Sequence, residues 1–187
     1  ASTHPGEEQA VIGIQQRLQR HGAGTVLLLA PRHPERCELV EQLLRESGLR
    51  YCRHSTAGQS DVSDCDVFLI DTLGELNAFY GSADIAFVGG SLVPIGGHNL
   101  LEPAAHGLPI LTGPHNFNSE DVLELLVAAG AAAVDRHAHR LAGEQVDIAL
   151  REGDRDAVLT EQFLEREANI AAYDPQLPLA ETLAPEK

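Results

Sequence analysis

The sequence predicts an α/β domain built around a parallel sheet, and three apolar runs carry this prediction. Residues 25–30 (TVLLLA), 67–70 (VFLI) and 85–88 (IAFV) have the length and composition of strands that are buried on both faces. Each run is followed by a polar or glycine-rich loop and then by a helical pattern. Strand, loop and helix form the repeating unit of a parallel sheet, whose loops at the carboxyl ends of the strands face the ligand.

The first segment, ASTHPGEE, precedes a helix whose apolar positions recur at helical spacing. Glu7 complements the positive end of the dipole of that helix. Ser2, Thr3 and His4 allow two interpretations, a ligand-facing strand-to-helix loop or a simple helix cap, and local chemistry favours neither. In an α/β domain such a helix normally follows a strand, for which no residues remain here. We therefore expect the chain to be cut just upstream.

The strand at residues 25–30 ends in the loop PRHPER, which leads into an amphipathic helix that Gly48 stops. Arg32 in this loop is a candidate clamp for a phosphate or carboxylate, because its planar guanidinium offers two parallel charge-assisted hydrogen bonds. A solvated loop arginine is the simpler alternative. The loop alone does not decide between the two.

The net charge of −15 argues against nucleic acid or an anionic membrane surface as a partner, because a polyanion would be repelled over most approaches. No apolar stretch reaches the roughly 18 to 20 residues that cross a bilayer, so we expect a soluble chain with no direct membrane insertion. Cys37, Cys52 and Cys65 are odd in number and show no paired spacing. We expect three idle thiols in a reducing compartment, with neither a disulfide nor a zinc site.

The stretch from 87 to 121 is the centre of the prediction. Its loop contains four glycines, Gly89, Gly90, Gly96 and Gly97. Glycines allow a backbone to approach a ligand closely or to adopt positive φ. Successive amides of this loop, together with a helix that begins near His98 or Asn99, would form a nest for an anion such as phosphate.

Glu102 lies in the first turn of that helix, where its carboxylate could accept hydrogen bonds from two ribose hydroxyls. Its alternative is a glutamate that only complements the helix dipole, worth roughly 0.3 to 1 kcal/mol. The loop lacks the G-K-[ST] of the nucleoside-triphosphate loop and the G-x-G-x-x-G of dinucleotide enzymes. A triphosphate hydrolase and a nicotinamide enzyme are therefore disfavoured.

The motifs ASTHPGEE, PRHPER, DTLGEL and FVGGSLVPIGGHNLLEPAAHGLPILTGPHNFN resemble the bacterial 3-deoxy-D-manno-octulosonic acid (Kdo) transferases. They occur in the family's order and cover residues 1 to about 135. The resemblance implies a Rossmann-like three-layer domain, the carboxyl-terminal, donor-binding half of a GT-B glycosyltransferase. Residues 1–172 would form this nucleotide-sugar binding domain, and residues 173–187 an irregular tail.

The resemblance also implies roles for individual residues. Arg32 would lie near the phosphate or carboxylate of the donor, and Glu102 would hold the ribose. The CMP phosphate would lie among Gly96, Gly97, His98 and Asn99. The loop facing the cleft would contain Ser2, Thr3, His4 and Glu7, and the bend before the central motif would contain Ser91.

The implied reaction is the transfer of Kdo from CMP-Kdo to a lipid A precursor, at the cytoplasmic face of the bacterial inner membrane. The general base and much of the acceptor site belong to the family's amino-terminal half, so we expect no catalytic residue in this chain and no activity of the chain alone. The GT-B class generally works without a bound cation, and we expect no metal and no cofactor. Two alternatives stay open. One is a half of another nucleotide-sugar enzyme, such as a UDP-sugar transferase or epimerase, and the other is a non-catalytic nucleotide-binding module.

Overall fold

The computed structural model describes residues 1–57 and 64–135, and they form an α/β structure with two three-stranded parallel sheets. The expected α/β class with a Rossmann-like arrangement is confirmed. The expected boundary between residues 172 and 173 lies outside the described residues.

The first sheet has the strand order β1-β3-β2, with β1 at Leu27–Leu29, β2 at Tyr51–Arg53 and β3 at Val67–Leu69. Alternate side chains of these strands pack on opposite faces, as period-two geometry requires. Leu29 and Leu69 belong to one cluster with the helices, and Phe68 belongs to a second cluster on the other face. Both faces are therefore covered, which explains why the strands consist of continuous apolar runs.

Helices α1 (Glu7–Arg20) and α2 (Cys37–Ser47) cover one face of this sheet, and α3 (Leu76–Tyr80) lies towards the other. A 3₁₀ turn, Pro34–Arg36, leads into α2. Gly48 ends α2 in the left-handed conformation, with φ of 74°, as the sequence predicts. The N-cap of α1 is Gly6 and neither Ser2 nor Thr3, so the simple helix cap is excluded for these two residues.

The second sheet has the order β4-β5-β6, with β4 at Ala86–Val88, β5 at Ile110–Thr112 and β6 at Ala132–Val134. Helices α4 (Leu101–Ala105) and α5 (Glu120–Ala128) join these strands, and their apolar side chains pack against the strand residues in one core cluster. Helix α4 begins at Leu101, later than the predicted start near His98 or Asn99. Its N-cap residue is Leu100, and Oδ1 of Asn99 accepts a hydrogen bond from the Leu101 amide at 3.0 Å.

Residues 1–3 lie between the two sheets and join them. Thr3 forms a parallel bridge with Pro31 next to β1, and its amide donates to the carbonyl of Ala30 at 3.2 Å. On the other side, the amide of Gly89 after β4 donates to the carbonyl of Ala1 at 2.8 Å. The spatial order is therefore β2-β3-β1, then residues 1–3, then β4-β5-β6.

The expectation of three idle thiols was wrong. Cys52 in β2 and Cys65, two residues before β3, form a disulfide with a Cα–Cα distance of 6.0 Å, and Cys37 is a buried free thiol. The two half-cystines are 13 residues apart in sequence, and only the parallel pairing of β2 with β3 brings them together. No local spacing pattern signals such a pair.

Candidate functional site

The strand order reverses at residues 1–3, which lie between β1 and β4. From this segment the chain goes to β1 on one side, and after β3 it returns to β4 on the other. In open parallel sheets, ligands bind at the carboxyl ends of the strands where the strand order reverses in this way. The loops that start there are residues 4–6 and residues 89–100, and the predicted site residues are concentrated in them.

Glu7 holds these two loops together. Its side chain is fully buried. Oε2 accepts hydrogen bonds from the amides of His4 at 2.9 Å and Gly90 at 2.8 Å, and Oε1 accepts from those of Ser91 at 3.0 Å and Leu92 at 2.9 Å. The first part of the glycine loop is thus a nest that already contains an anion, the chain's own carboxylate. Glu7 therefore positions the loop through its buried carboxylate, and its expected place in the loop that faces the cleft stays a prediction.

Ser91 and Thr3 are also buried. The Ser91 hydroxyl donates to the carbonyl of Val88 at 2.6 Å and accepts the amide of Gly113 at 2.9 Å, so it fixes the bend after β4 against the loop after β5. The Thr3 hydroxyl has no hydrogen-bond partner among the described residues. Ser2, partly exposed, has a positive φ of 54°, which is uncommon for a residue with a side chain.

His4 and His98 form what we call the histidine pair. Their Nε2 atoms are 2.7 Å apart, the ring planes differ by 8°, and the centroids are 5.0 Å apart. His33 meets His4 edge-on with a centroid distance of 5.8 Å. Burial lowers the pKa of His4 and of His98 below the ordinary histidine value, because it disfavours the charged ring.

The second part of the glycine loop has a tightly fixed backbone. Gly96 and Gly97 have φ of 106° and 76°, and the Gly97 amide donates to the carbonyl of Gly90 at 2.8 Å. A Cβ on Gly97 would lie 2.6 Å from Oδ1 of Asn116, so only glycine fits there. No hydrogen bond within residues 1–57 and 64–135 uses the amides of three loop residues, Gly96, His98 and Asn99. Of these three residues, Asn99 is exposed and His98 is partly exposed, whereas Gly96 is buried.

Asn99 and Glu102 lie together at the start of α4, where Nδ2 of Asn99 donates to Oε1 of Glu102 at 3.1 Å. Both side chains are exposed. Arg32 is exposed as well, and its backbone amide donates to the carbonyl of Thr3 at 3.0 Å. Its guanidinium forms no ion pair with any described residue and lies close enough to His98 to contribute to the lowering of that pKa.

The structure thus brings Arg32, the histidine pair and the unbonded amides to one edge of the sheet, whereas the side chains of Glu7, Ser91 and Thr3 lie beneath it.

Two sets of hydrogen bonds that support the loops of the site were not predicted from the sequence. Glu8, fully buried, accepts two hydrogen bonds from Arg36, at 2.7 and 3.4 Å.

The second set is formed by buried Asn116, which accepts from the Thr112 hydroxyl at 2.8 Å and donates to the carbonyl of Gly113 at 2.6 Å. Asn116 lies in the GPHNFN part of the central motif, and only its contacts in the structure identify it as a supporting residue. No group of three or more potential metal ligands lies among the residues that the structure describes. Within the same residues, no helix is long and apolar enough to cross a membrane.

The chain is similar in sequence to known proteins that share one name. The 3-deoxy-D-manno-octulosonic acid transferase of Bordetella pertussis is 44% identical over 135 residues, which are 71% of this chain and 32% of that protein. The enzyme of the same name from Haemophilus influenzae is 44% identical over 127 residues, 68% of this chain and 30% of that protein. The chain therefore spans about a third of the length of these relatives. No protein-family model matches the chain.

A solved structure resembles nearly the whole chain. The crystal structure of the C-terminal CMP-Kdo binding domain of WaaA from Acinetobacter baumannii superposes with a TM-score of 0.73 at 32% identity, and the match covers 92% of this chain and 86% of that one. Fold, motif order and sequence identity agree over most of that domain. The chain therefore belongs to the 3-deoxy-D-manno-octulosonic acid transferase family.

Proposed function

We propose that this chain is the donor-binding half of a Kdo transferase and that it holds CMP-Kdo at the point where the strand order reverses. One observation supports this most directly. At that point three backbone amides of one loop, those of Gly96, His98 and Asn99, make no hydrogen bond within the described residues, and the same loop contributes one member of the histidine pair.

The phosphate of the donor would lie on these amides, with Arg32 as the charged partner. Backbone amides held by a rigid loop bind an anion without the cost of ordering flexible side chains. Glu7 supplies this rigidity, because it fixes the first part of the same loop through three of its four hydrogen bonds. Arg32 is suited to the charge because no described carboxylate neutralises it.

The ribose of the donor would bind to Glu102. The carboxylate is exposed, and its one hydrogen bond among the described residues comes from Asn99, which leaves lone pairs for two vicinal hydroxyls. Asn99 then has two roles, since its side-chain oxygen accepts the hydrogen bond of the Leu101 amide while its amide group orients the glutamate.

The reaction follows from the charge that develops as CMP leaves. Breaking the bond from the phosphate oxygen to Kdo increases the negative charge on the phosphate. The amides and Arg32 therefore bind the phosphate more strongly in the transition state than in the ground state. The acceptor hydroxyl, on a lipid A precursor at the cytoplasmic face of the inner membrane, would lose its proton to a base from the other half of the enzyme. We therefore expect this chain to bind nucleotide and to catalyse nothing alone.

Calorimetric titration of the chain with CMP and with UMP tests the donor. We expect CMP to bind more tightly than UMP. Equal or stronger binding of UMP would instead favour a UDP-sugar enzyme on the same fold. Binding of CMP without Kdo transfer, after the chain is joined to an amino-terminal half from a relative, would favour a non-catalytic nucleotide-binding module.

The change Glu102→Ala tests the ribose assignment. It should weaken CMP binding by roughly 1.5 to 3 kcal/mol, the range for a hydrogen bond to a charged group. Glu38→Ala is the matched control, because Glu38 is also an exposed glutamate in the first turn of a helix, α2. If both variants bind CMP as tightly as the parent chain, Glu102 is a helix-end residue only.

A further inference from the structure

The geometry of the histidine pair restricts where its protons can be. The two Nε2 atoms are 2.7 Å apart in nearly coplanar rings, which is a hydrogen bond between two ring nitrogens. One Nε2 must carry a proton and the other must present a lone pair, because two protonated or two unprotonated nitrogens at this distance would repel. His4 and His98 come from different loops, so the shared proton links the two sides of the site.

The proton count of such a pair has three states. In the neutral pair one proton lies between the two Nε2 atoms and only one of the outer nitrogens, Nδ1, is protonated. In the singly charged pair both Nδ1 atoms are protonated, and the hydrogen bond exists in both states. A second positive charge places protons on both Nε2 atoms and breaks the bond. The pair can therefore accept one additional proton without losing its hydrogen bond and resists the next, as coupled sites do.

We propose that the histidine pair takes up one proton when the anionic donor binds, so that it recognises the donor as a single shared positive charge beside the phosphate-binding amides. This inference rests on the proposed function, since it assumes that the donor lies at this edge of the sheet. The proton comes from solvent, binds to the unprotonated outer nitrogen, Nδ1, of the ring whose Nε2 donates the hydrogen bond, and returns to solvent when CMP leaves.

The groups around the pair favour this behaviour. The negative charge of Glu7 acts on both rings and that of Glu8 on His4, and both favour the protonated form. Three groups act in the opposite sense: His33 on both rings, Arg36 on His4 and Arg32 on His98. Burial lowers the pKa of both histidines, so the free site holds the pair neutral near pH 7.

A bound anion changes this balance. It neutralises the field of Arg32 and adds an attractive charge, and both effects favour the protonated pair. Affinity for the donor should therefore rise as pH falls from about 8 to about 6, by up to about tenfold per pH unit where the bound pair is protonated and the free pair is not. A fixed cation such as arginine or lysine would give no such dependence in this range.

Calorimetry measures the proton directly. The 5′-phosphate methyl ester of CMP is a suitable probe, because a phosphodiester does not titrate near pH 7 whereas a phosphate monoester does, with a pKa of about 6. Titration of the full chain in buffers of different ionisation enthalpy gives the number of protons taken up per probe bound. We expect a clear uptake, between zero and one, that disappears in His98→Gln and in His4→Gln.

His21→Gln is the control. His21 is an exposed histidine just after α1, at the end of the helix remote from the site, and its removal should leave the proton uptake unchanged. Tight probe binding with no proton uptake in the parent chain overturns the inference and leaves the proposed function intact.

Nitrogen NMR of the imidazole rings tests the pair without any nucleotide. A shared proton predicts one protonated and one unprotonated Nε2 at neutral pH, and two titration steps that belong to the pair. His4 and His98 titrating independently, each in a single step, contradict the inference whether or not the probe binds. Absence of probe binding together with a coupled titration would instead count against the proposed donor site and support the pair.

Discussion

Replacement of Glu7 by glutamine is the sharpest test of how this fold builds its site. The carboxylate accepts four backbone hydrogen bonds, two at each oxygen, and is fully buried. Glutamine has nearly the same shape, but one oxygen becomes an amide group that only donates. Two backbone N–H groups would then face another donor in a buried place.

The magnitude follows from these contacts. A hydrogen bond to a charged acceptor is worth about 1.5 to 3 kcal/mol, and two of them are lost, so Glu7→Gln should lower the free energy of unfolding by about 3 to 6 kcal/mol. Such a loss is a large part of the total stability of an ordinary domain, which is about 5 to 15 kcal/mol.

Urea denaturation of the full chain measures this change, and hydrogen exchange localises it. The amides of Gly90, Ser91 and Leu92 should exchange faster in the variant, because three of the four bonds to Glu7 come from them. Glu38→Gln is the control, since an exposed glutamate should change stability by less than about 0.5 kcal/mol. A loss below about 1 kcal/mol with unchanged exchange would refute the reasoning, since the buried amides would then have other partners.

Three further predictions concern the fold around the site. Gly89→Ala should destabilise the chain by about 3 kcal/mol, because the new methyl group would lie 2.6 Å from the carbonyl oxygen of residue 2. The control is Gly13→Ala in α1, where the space around the new methyl group is open; in the same urea experiment it should stabilise the chain by about 0.5 to 1 kcal/mol. The free energy of unfolding should fall as pH is lowered through the ordinary histidine pKa near 6.5. Burial lowers the pKa of both members of the histidine pair, so the unfolded chain binds more protons than the folded one. The melting temperature of the variant with glutamine at both positions should depend less on pH than that of the parent chain. Reduction of the Cys52–Cys65 disulfide should lower the free energy of unfolding by about 2 to 3 kcal/mol, as expected for a link that closes a short loop. Thiol alkylation and mass spectrometry verify the reduction, and equal stability of the oxidised and reduced forms would contradict this expectation.

Local patterns predicted the strands well because their cause is local. A strand buried on both faces must be apolar at every position, and the runs around β1, β3 and β4 have that property. The stop of α2 at Gly48 was predicted for the same kind of reason, since a left-handed residue after a helix favours glycine. The start of α4 was placed too early, because the residue at which helical hydrogen bonding begins depends on backbone conformation that sequence spacing does not reveal.

The anion nest shows where such prediction ends. The glycines correctly indicated a loop with amides directed at a negative charge, and the expected charge was the phosphate of a ligand. In the folded chain the first anion in that loop is Glu7, which is more than 80 residues away in sequence. Sequence spacing carries no information on this contact, because it depends on residues 1–3 lying between β1 and β4.

By itself, the sequence determined the α/β class, the strands, the glycine loop and, through the resemblance of its motifs, the family. These features depend on short-range periodicity, on backbone freedom at glycine and on motif order. The tertiary structure alone decided which polar groups bind one another within the protein: Glu7 accepts hydrogen bonds from backbone amides, Cys52 is joined to Cys65, and His4 is hydrogen-bonded to His98. The physical reason is that a hydrogen bond needs its two groups within about 3 Å in the right orientation, and strand order sets that distance between residues far apart in sequence.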